Sequence, residues 1–210
     1  MLYEFCAENL PLIEQALEAG AGRVELCDNL AVGGTTPSYG VMRGAVLLAD
    51  QYDARVMTMI RPRGGDFVYS ALETEIMLLD IDQAKAASSQ GLVFGALTKE
   101  GELDKDVLKR LISAGQGLEM TVHMAFDCLA KDQQLEAIDW LSQHGVQRIL
   151  THGGPAEEPI EAHFDWLKEL IAYADGRIEI LVGGGVHLGN REQIAQELGI
   201  QQLHGTRIVF

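Results

Sequence analysis

Hydrophobic and polar positions alternate along the chain in short runs that predict eight β-strands, the first seven each followed by a stretch with helical period. The strands are predicted near residues 2–6, 22–27, 54–60, 92–96, 118–124, 147–151, 177–182 and 201–205. The helices are predicted near residues 9–19, 38–50, 71–89, 104–114, 132–143, 158–174 and 189–198. Strict alternation of strand and helix indicates a parallel sheet.

A glycine recurs where a predicted helix gives way to the next strand. Gly91 and Gly145 have the same separation as Gly145 and Gly199, which fits two strand–helix units per interval, and glycine is favoured just after a helix end. Eight such units predict a TIM-type (β/α)8 barrel forming one domain over residues 1–210, with an open doubly wound sheet as the alternative. The eighth helix is expected to be missing, and the barrel wall exposed there predicts a homo-oligomer.

Charge and cysteine content limit the partners and the compartment. Lys and Arg number 16 against 31 Asp and Glu, so the net charge is −15, which disfavours nucleic acid and anionic membranes as partners. No apolar run is long enough to span a membrane. The N-terminus lacks the pattern of a signal peptide, and three cysteines, an odd number, predict reduced thiols in the cytoplasm. No phosphate-binding glycine motif opens a helix, so no nucleotide cofactor is expected.

The first two predicted strands repeat a Glu-x-Cys pattern. Strand alternation places four of their side chains on one face: Glu4, Cys6, Glu25 and Cys27. Two thiols on adjacent strands predict a metal site for Cu(I), a soft ion, with Met57 or Met59 as thioether donors. The alternative is that both cysteines are simply small buried residues of the core.

The loop MIRPRGGDFVYS (59–70) carries two arginines beside two glycines at the exit of the third strand. Guanidinium groups are rigid donors for carboxylate or phosphate, so Arg61 and Arg63 predict an anion site. Gly64 and Gly65 allow the backbone to approach a ligand closely. The structural alternative is an ion pair between Arg63 and Asp66 that fixes the loop.

His123 and Asp127 lie at the end of the fifth strand, in MTVHMAFD. Imidazole titrates near neutrality, so His123 is predicted to transfer protons, with Asp127 orienting it or holding the loop. The alternative is a histidine merely satisfied by a neighbouring carboxylate. A buried glutamate also needs a partner, and Arg61 is the expected partner of Glu4 or Glu25. The predicted catalytic residues are thus Glu25, Arg61, His123 and Asp127.

Glycine-rich loops come after the seventh and eighth strands. Barrels often bind phosphate there through bare backbone N–H groups. Together with Arg63, the predicted anion-binding residues are Gly183, Gly184, Gly185, Gly205 and Thr206.

Taken together, these motifs resemble the CutC family of copper homeostasis proteins along the whole chain. The matching segments are RVELC (23–27), GGTTPSYG (33–40), MIRPRGGDFVYS (59–70), VFGALTKEG (93–101), TVHMAFD (121–127), VGGGV (182–186) and LHGTR (203–207). The resemblance implies a TIM-type barrel, a cytoplasmic location and a role in copper handling, with Cys6 and Cys27 at the positions of the family's cysteines.

The chain departs from the family pattern at two positions. Met124 stands where the family usually has arginine, which removes a cation, and His152 stands where serine is common, which adds a candidate ligand. The sequence is therefore compatible with two functions of different classes. One is copper binding or handling at Cys6 and Cys27. The other is an enzyme acting on a small anionic, phosphorylated or carboxylated, substrate.

Overall fold

The computed structural model describes residues Met1 to Phe210 and contains eight parallel strands that form a closed barrel in chain order. The strands are β1 (Leu2–Glu8), β2 (Arg23–Cys27), β3 (Arg55–Met59), β4 (Gly91–Phe94), β5 (Glu119–Val122), β6 (Arg148–Thr151), β7 (Glu179–Val182) and β8 (Gln202–Gly205). Because β8 pairs with β1, the ring has no open edge. The predicted TIM-type barrel is confirmed, and the open sheet is excluded.

Seven α-helices surround the strands, and the eighth helix is missing, as predicted. They are α1 (Ile13–Glu18), α2 (Tyr39–Ala49), α3 (Ala71–Ala86), α4 (Lys105–Ala114), α5 (Lys131–Gln143), α6 (Phe164–Ala174) and α7 (Arg191–Leu198). The largest differences from the predicted ranges are at two helix starts, since α1 begins only at Ile13 and a 3₁₀ turn over Ile160–His163 precedes α6. None of the helices is both long and apolar enough to cross a membrane.

The recurring glycines do not all have the predicted role. Gly199 ends α7 with φ of 67°, as a helix-terminating glycine should. Gly91 instead opens β4, and a Cβ there would lie only 2.0 Å from the Met57 methyl group. Gly91 is therefore required by close packing inside the barrel, and the left-handed turn after α3 is made by Ser88, with φ of 66°.

Alternation along the strands separates an apolar outer wall from a polar interior. On β2, Val24 and Leu26 join the main hydrophobic core, whereas Arg23 and Glu25 make polar contacts with residues of β1 and β8. All four side chains are buried. The outer positions hold the helices against the barrel, so the inner positions are free to carry charged groups and thiols.

The C-terminal segment of the chain covers the wall where an eighth helix would lie. Ile208 and Val209 are buried, and the Phe210 ring packs against Phe5 of β1 with 5.4 Å between centroids. Phe5 is accordingly 1% exposed. The expectation of an exposed wall at this position is wrong, because a short segment without helical structure replaces the helix.

Candidate functional site

A cavity of about 200 Å³ lies at the ends of strands β1, β2, β3, β5 and β8. Its polar lining consists of Cys6, Glu25, Arg61, His123 and His204. These residues lie at the carboxyl ends of the strands or just beyond them, which is where TIM barrels carry their active sites. The structure thus brings four of the predicted site residues together and adds His204.

Cys6 and Cys27 share one carboxylate oxygen of Glu25. Their Sγ atoms lie 3.2 Å and 3.7 Å from Glu25 Oε2, and the three ligand atoms are all within 4.8 Å of one another. The strand register produces this geometry, since Cys6 is directly opposite Glu25 and Cys27 lies two positions later on the same face. Met57 and Met59 belong to the same small buried cluster as the two cysteines.

Both thiols are protonated at neutral pH. The neighbouring Cys27 sulfur, burial and the Glu25 carboxylate raise the pKa of Cys6 well above its usual value. At Cys27 the neighbouring Cys6 thiol lowers the pKa, but burial and Glu25 outweigh it and raise the pKa to about 11. A metal ion that binds both sulfurs must therefore displace two protons.

Glu4 is paired with Arg23 and His204, so the prediction of Arg61 as its partner is wrong. Arg23 Nε donates to Glu4 Oε2, and His204 Nδ1 lies 2.8 Å from Glu4 Oε1. Burial alone would raise the pKa of Glu4, but Arg23 and His204 hold it at about 2. The alternation that places Glu25 and Cys27 inside the barrel also places Arg23 there, so the sequence contained this signal.

His204 connects the two buried glutamates. Its Nε2 atom lies 3.7 Å from Glu25 Oε2, while Nδ1 contacts Glu4. Burial would lower the pKa of His204, but Glu25, Cys6 and Glu4 raise it well above its usual value, so it carries a positive charge. Glu25 keeps its other oxygen, Oε1, without a partner, and burial raises its pKa.

Arg61 binds backbone carbonyl groups instead of a glutamate. Its guanidinium donates to the oxygens of Val32 and Gly34, both at 2.8 Å, and of Gly65 at 2.9 Å. It is 4% exposed, and its Nε atom has no partner. The Phe67 ring lies 4.9 Å from it. Arg61 therefore ties two loops together and leaves a buried positive charge, unpaired by any carboxylate, beside the cavity.

His123 is held as a neutral ring. The backbone N–H of Ala125 donates to its Nδ1 atom at 3.2 Å, and its Nε2 atom has no partner. Burial and the positive charge of Arg61 lower the pKa of His123 to about 3. Gly95 makes room for the ring, since a Cβ there would lie 2.6 Å from His123 Cε1. At neutral pH the ring is therefore an uncharged hydrogen-bond donor, and its role in proton transfer stays a prediction.

Asp127 does not contact His123. It accepts hydrogen bonds from the Thr151 hydroxyl and from the backbone N–H of His152, the latter at 2.9 Å. The carboxylate thus anchors the turn after β5 to the end of β6. The prediction that it orients His123 is wrong, and the alternative of holding the loop is what the contacts support.

Arg63 lies outside the cavity and fixes the loop before α3. It pairs with Asp66 at 3.0 Å and with Glu73, and Glu73 also completes the capping box of α3 with Ser70. The structural alternative for Arg63 is confirmed. Its predicted convergence with Arg61 on one anion is wrong, because Asp66 and Glu73 already neutralise it within its own loop and helix.

A second cavity, of about 170 Å³, adjoins the first at the loops after β7 and β8. Four of the predicted anion-binding residues line it, namely Gly184, Gly185, Gly205 and Thr206, together with Arg207. Met124 and His204 line both cavities. Gly183 lies outside this lining and instead makes room for His204, because a Cβ would lie 2.9 Å from the His204 ring.

His152 is not available as a metal ligand. Its Nδ1 atom lies 3.0 Å from the Gly184 oxygen, and its Nε2 atom lies 3.1 Å from the Glu158 oxygen. A neutral ring has one hydrogen, so one of these nitrogens donates to a backbone carbonyl oxygen and the other lies against one. The departure from serine at this position adds loop contacts and no ligand.

Comparison with known proteins places the chain in a family. A family model described as the CutC family matches residues 1–209. The chain belongs to the CutC family. A CutC protein of Enterococcus faecalis is 54% identical over 209 residues, covering all of both chains.

Solved structures show the same fold for this CutC chain. A CutC protein from Streptococcus agalactiae, named for copper homeostasis, is 49% identical, with a TM-score of 0.96 over 99% of both chains. An aldolase called QR15 has a TM-score of 0.71 at 15% identity and covers 98% of this chain and 91% of its own. The second likeness shows the barrel fold alone.

Proposed function

We propose that the protein binds Cu(I) at Cys6 and Cys27 and acts in copper homeostasis in the cytoplasm. The observation that carries this proposal is the approach of both Sγ atoms to one another and to Glu25 within 4.8 Å. Thiolate and thioether sulfur are the donors that Cu(I) prefers, and Met57 and Met59 lie in the same cluster. A reducing cytoplasm keeps such buried thiols free to bind metal.

The donor set fits the proposed ion. Binding replaces two thiol protons by one monovalent cation, and the nearby positive charges of His204 and Arg61 offset the remaining negative charge. The site is reached through the cavity lined by Cys6 and Glu25. The name of the Streptococcus agalactiae relative points to the same role.

Anaerobic Cu(I) titration against a competing chelator tests the proposal. We expect about one tightly bound ion per wild-type chain and none in the Cys6→Ser, Cys27→Ser double variant. Cys128→Ser is the matched control, because Cys128 is exposed and lies outside the cluster. Equal affinity of the double variant and this control would refute the copper site.

A second candidate function is supported by Arg61. Its buried charge faces no carboxylate and lies beside the cavity, and buried charges in proteins are normally paired. We propose that a small anionic compound, phosphorylated or carboxylated, supplies the missing charge as the ligand or substrate of an enzyme. The lining is mostly apolar with a few convergent polar groups, which is typical of small-molecule sites.

A thermal-shift screen of sugar phosphates and carboxylates tests this second function. We expect stabilisation of the wild type and of Arg63→Ala, since Arg63 lies outside both cavities. Arg61→Lys keeps the charge and serves as the comparison for Arg61→Gln, which removes it. If no anion stabilises the wild type, the second function fails, whereas the copper proposal is unaffected.

A homo-oligomer remains a proposal, but on a different surface from the one the sequence indicates. α3 exposes three large apolar side chains on one face, at 71%, 40% and 63%, namely Leu72, Ile76 and Leu79. Their spacing places them along a single stripe. A second copy of the chain could bury the same stripe through a two-fold contact.

A further inference from the structure

The neutral His123 ring specifies what kind of atom the cavity can receive. The Ala125 N–H donates to Nδ1, so Nδ1 is the acceptor and the single ring hydrogen of a neutral imidazole is on Nε2. That N–H is buried and has no acceptor in the chain. Buried donors without a partner are rare in folded proteins and call for an explanation.

We infer that the two adjoining cavities bind one short compound, whose carbonyl or carboxylate oxygen accepts a hydrogen bond from His123 Nε2 and whose phosphate group lies at the loops after β7 and β8. This inference rests on the second candidate function, a small anionic ligand, and specifies its class. It does not depend on the copper site.

The oxygen end is defined by two groups on the same wall. His123 and Arg61 both line the first cavity, and the Phe67 ring packs against both of them, 4.9 Å from each. Burial keeps the imidazole uncharged across the neutral range, since its pKa is lowered to about 3. The ring thus donates without exchanging its proton, as suits a group that polarises an sp² oxygen.

The phosphate end is defined by free backbone groups. The N–H groups of Gly184, Gly185 and Thr206 donate to no acceptor within the chain, and all three residues line the second cavity beside Arg207. Backbone amides of this kind bind phosphate in many barrels. The proposed phosphate end therefore consists of free backbone amides and the Arg207 side chain. The unpartnered His123 nitrogen defines the other end.

The two ends adjoin each other, and their size limits the ligand. Met124 and His204 line both cavities, so the two lie side by side, and one molecule that extends past these two side chains contacts both. A cavity of about 150 Å³ holds a benzene molecule, and the first cavity is about 200 Å³. The compound that fits has a short carbon skeleton between its oxygen and its phosphate.

The unpaired charge of Arg61 matches such a ligand. Its buried guanidinium faces no carboxylate and lies at the oxygen end, whereas the His204 ring between the cavities is already held by Glu4. Met124, the other residue common to both cavities, adds no charge of its own. The ligand is thus expected to be anionic at the phosphate and polar, or anionic, at the other end.

Calorimetric titration of the metal-free protein with matched probes tests the inference. The probes are dihydroxyacetone phosphate, 2-phosphoglycolate, propyl phosphate, which lacks the second oxygen, and inorganic phosphate. We expect the first two to bind at least about tenfold more tightly than propyl phosphate, the usual value of one well-placed hydrogen bond. The affinity for propyl phosphate should be equal to or higher than the affinity for inorganic phosphate.

Variants assign the two ends. His123→Leu should reduce binding of dihydroxyacetone phosphate about tenfold and leave propyl phosphate unchanged, and His123→Gln, which keeps an N–H donor, should restore much of the loss. Arg207→Gln should weaken all phosphate probes alike. Circular dichroism checks that each variant is folded. If His123→Leu does not fold, His123→Gln still tests the role of the ring.

The outcomes separate this inference from the function on which it rests. If propyl phosphate binds as tightly as dihydroxyacetone phosphate, or His123→Leu weakens both alike, the role of His123 is overturned while the anion site stands. If no phosphate probe binds and the thermal-shift screen finds a carboxylate ligand, the phosphate end is overturned. If no anion binds in either assay, the second function and this inference both fail.

Discussion

Glu4 and His204 lie 200 residues apart in the chain and share a buried contact of 2.8 Å between Oε1 and Nδ1. The contact joins the first strand to the last, at the seam where β1 and β8 close the barrel. Arg23 holds the other oxygen of Glu4. The seam beside the thiol cluster is therefore held by an ionic network as well as by backbone hydrogen bonds.

Glu4→Gln should destabilise the fold by about 3–5 kcal/mol, since it leaves Arg23 buried without its counter-charge and His204 with Glu25 alone. Urea unfolding measures the loss. Glu75→Gln is the matched control, because it breaks the exposed pair with Arg110 and should cost at most about 1 kcal/mol. Similar losses in both variants would contradict the importance of the seam.

His123 should make stability fall with acid. The pKa of His123 is about 3 in the folded protein against 6.5 for a free histidine, so between these values the unfolded chain binds a proton that the folded chain does not. The stabilisation linked to the neutral His123 ring is therefore fully present above pH 6.5 and is lost as the pH falls towards 3.

Unfolding free energies of the wild type and His123→Gln, measured between about pH 7 and pH 4, test this contribution. The free energy of unfolding of the wild type should fall relative to that of His123→Gln as the pH falls, because glutamine does not titrate. Parallel curves would show that the imidazole is not buried in its neutral form.

Arg61→Ala should destabilise the protein by at least about 3 kcal/mol, because three backbone carbonyl oxygens lose a charged donor. Arg61→Lys should recover only part of this loss, since an ammonium group cannot reproduce the fork that reaches two loops. Thermal unfolding of both variants checks the order. A lysine variant as stable as the wild type would mean that charge alone holds the loops.

The apolar stripe on α3 predicts self-association. Light scattering should give a mass above 22.9 kDa for the wild type, and Leu72→Gln with Leu79→Gln should shift the protein towards the monomer. Leu188→Gln is the control, since Leu188 is also exposed but lies before α7. A wild type that stays monomeric at micromolar concentration would remove the proposal.

The fold was predictable because its signal is repeated. Eight apolar runs alternate with helical patterns, and the inward face of β1 and β2 results from the period of two that also brings Cys6 to Glu25. The pairing of Glu4 was not predicted. Arg23 shares that inward face and lies directly opposite Glu4 in the register. Arg61 was expected as the partner only because its loop has the composition of a binding site.

The role of His123 could not be predicted because it depends on the turn after β5. This 3₁₀ turn, over Met124–Cys128, directs the backbone N–H of Ala125 onto the ring and carries Asp127 away to β6. Neither feature leaves a pattern in the local sequence. Likewise, the C-terminal segment that covers Phe5 has no helical period, so no local pattern indicates that it replaces a helix.

X-ray absorption at the copper edge of the Cu(I)-loaded protein tests the central claim most directly. The account predicts a first shell of two sulfur ligands from Cys6 and Cys27, unchanged in Cys128→Ser and lost in the double serine variant. A first shell made only of nitrogen and oxygen atoms, or a sulfur shell that survives without Cys6 and Cys27, would contradict it.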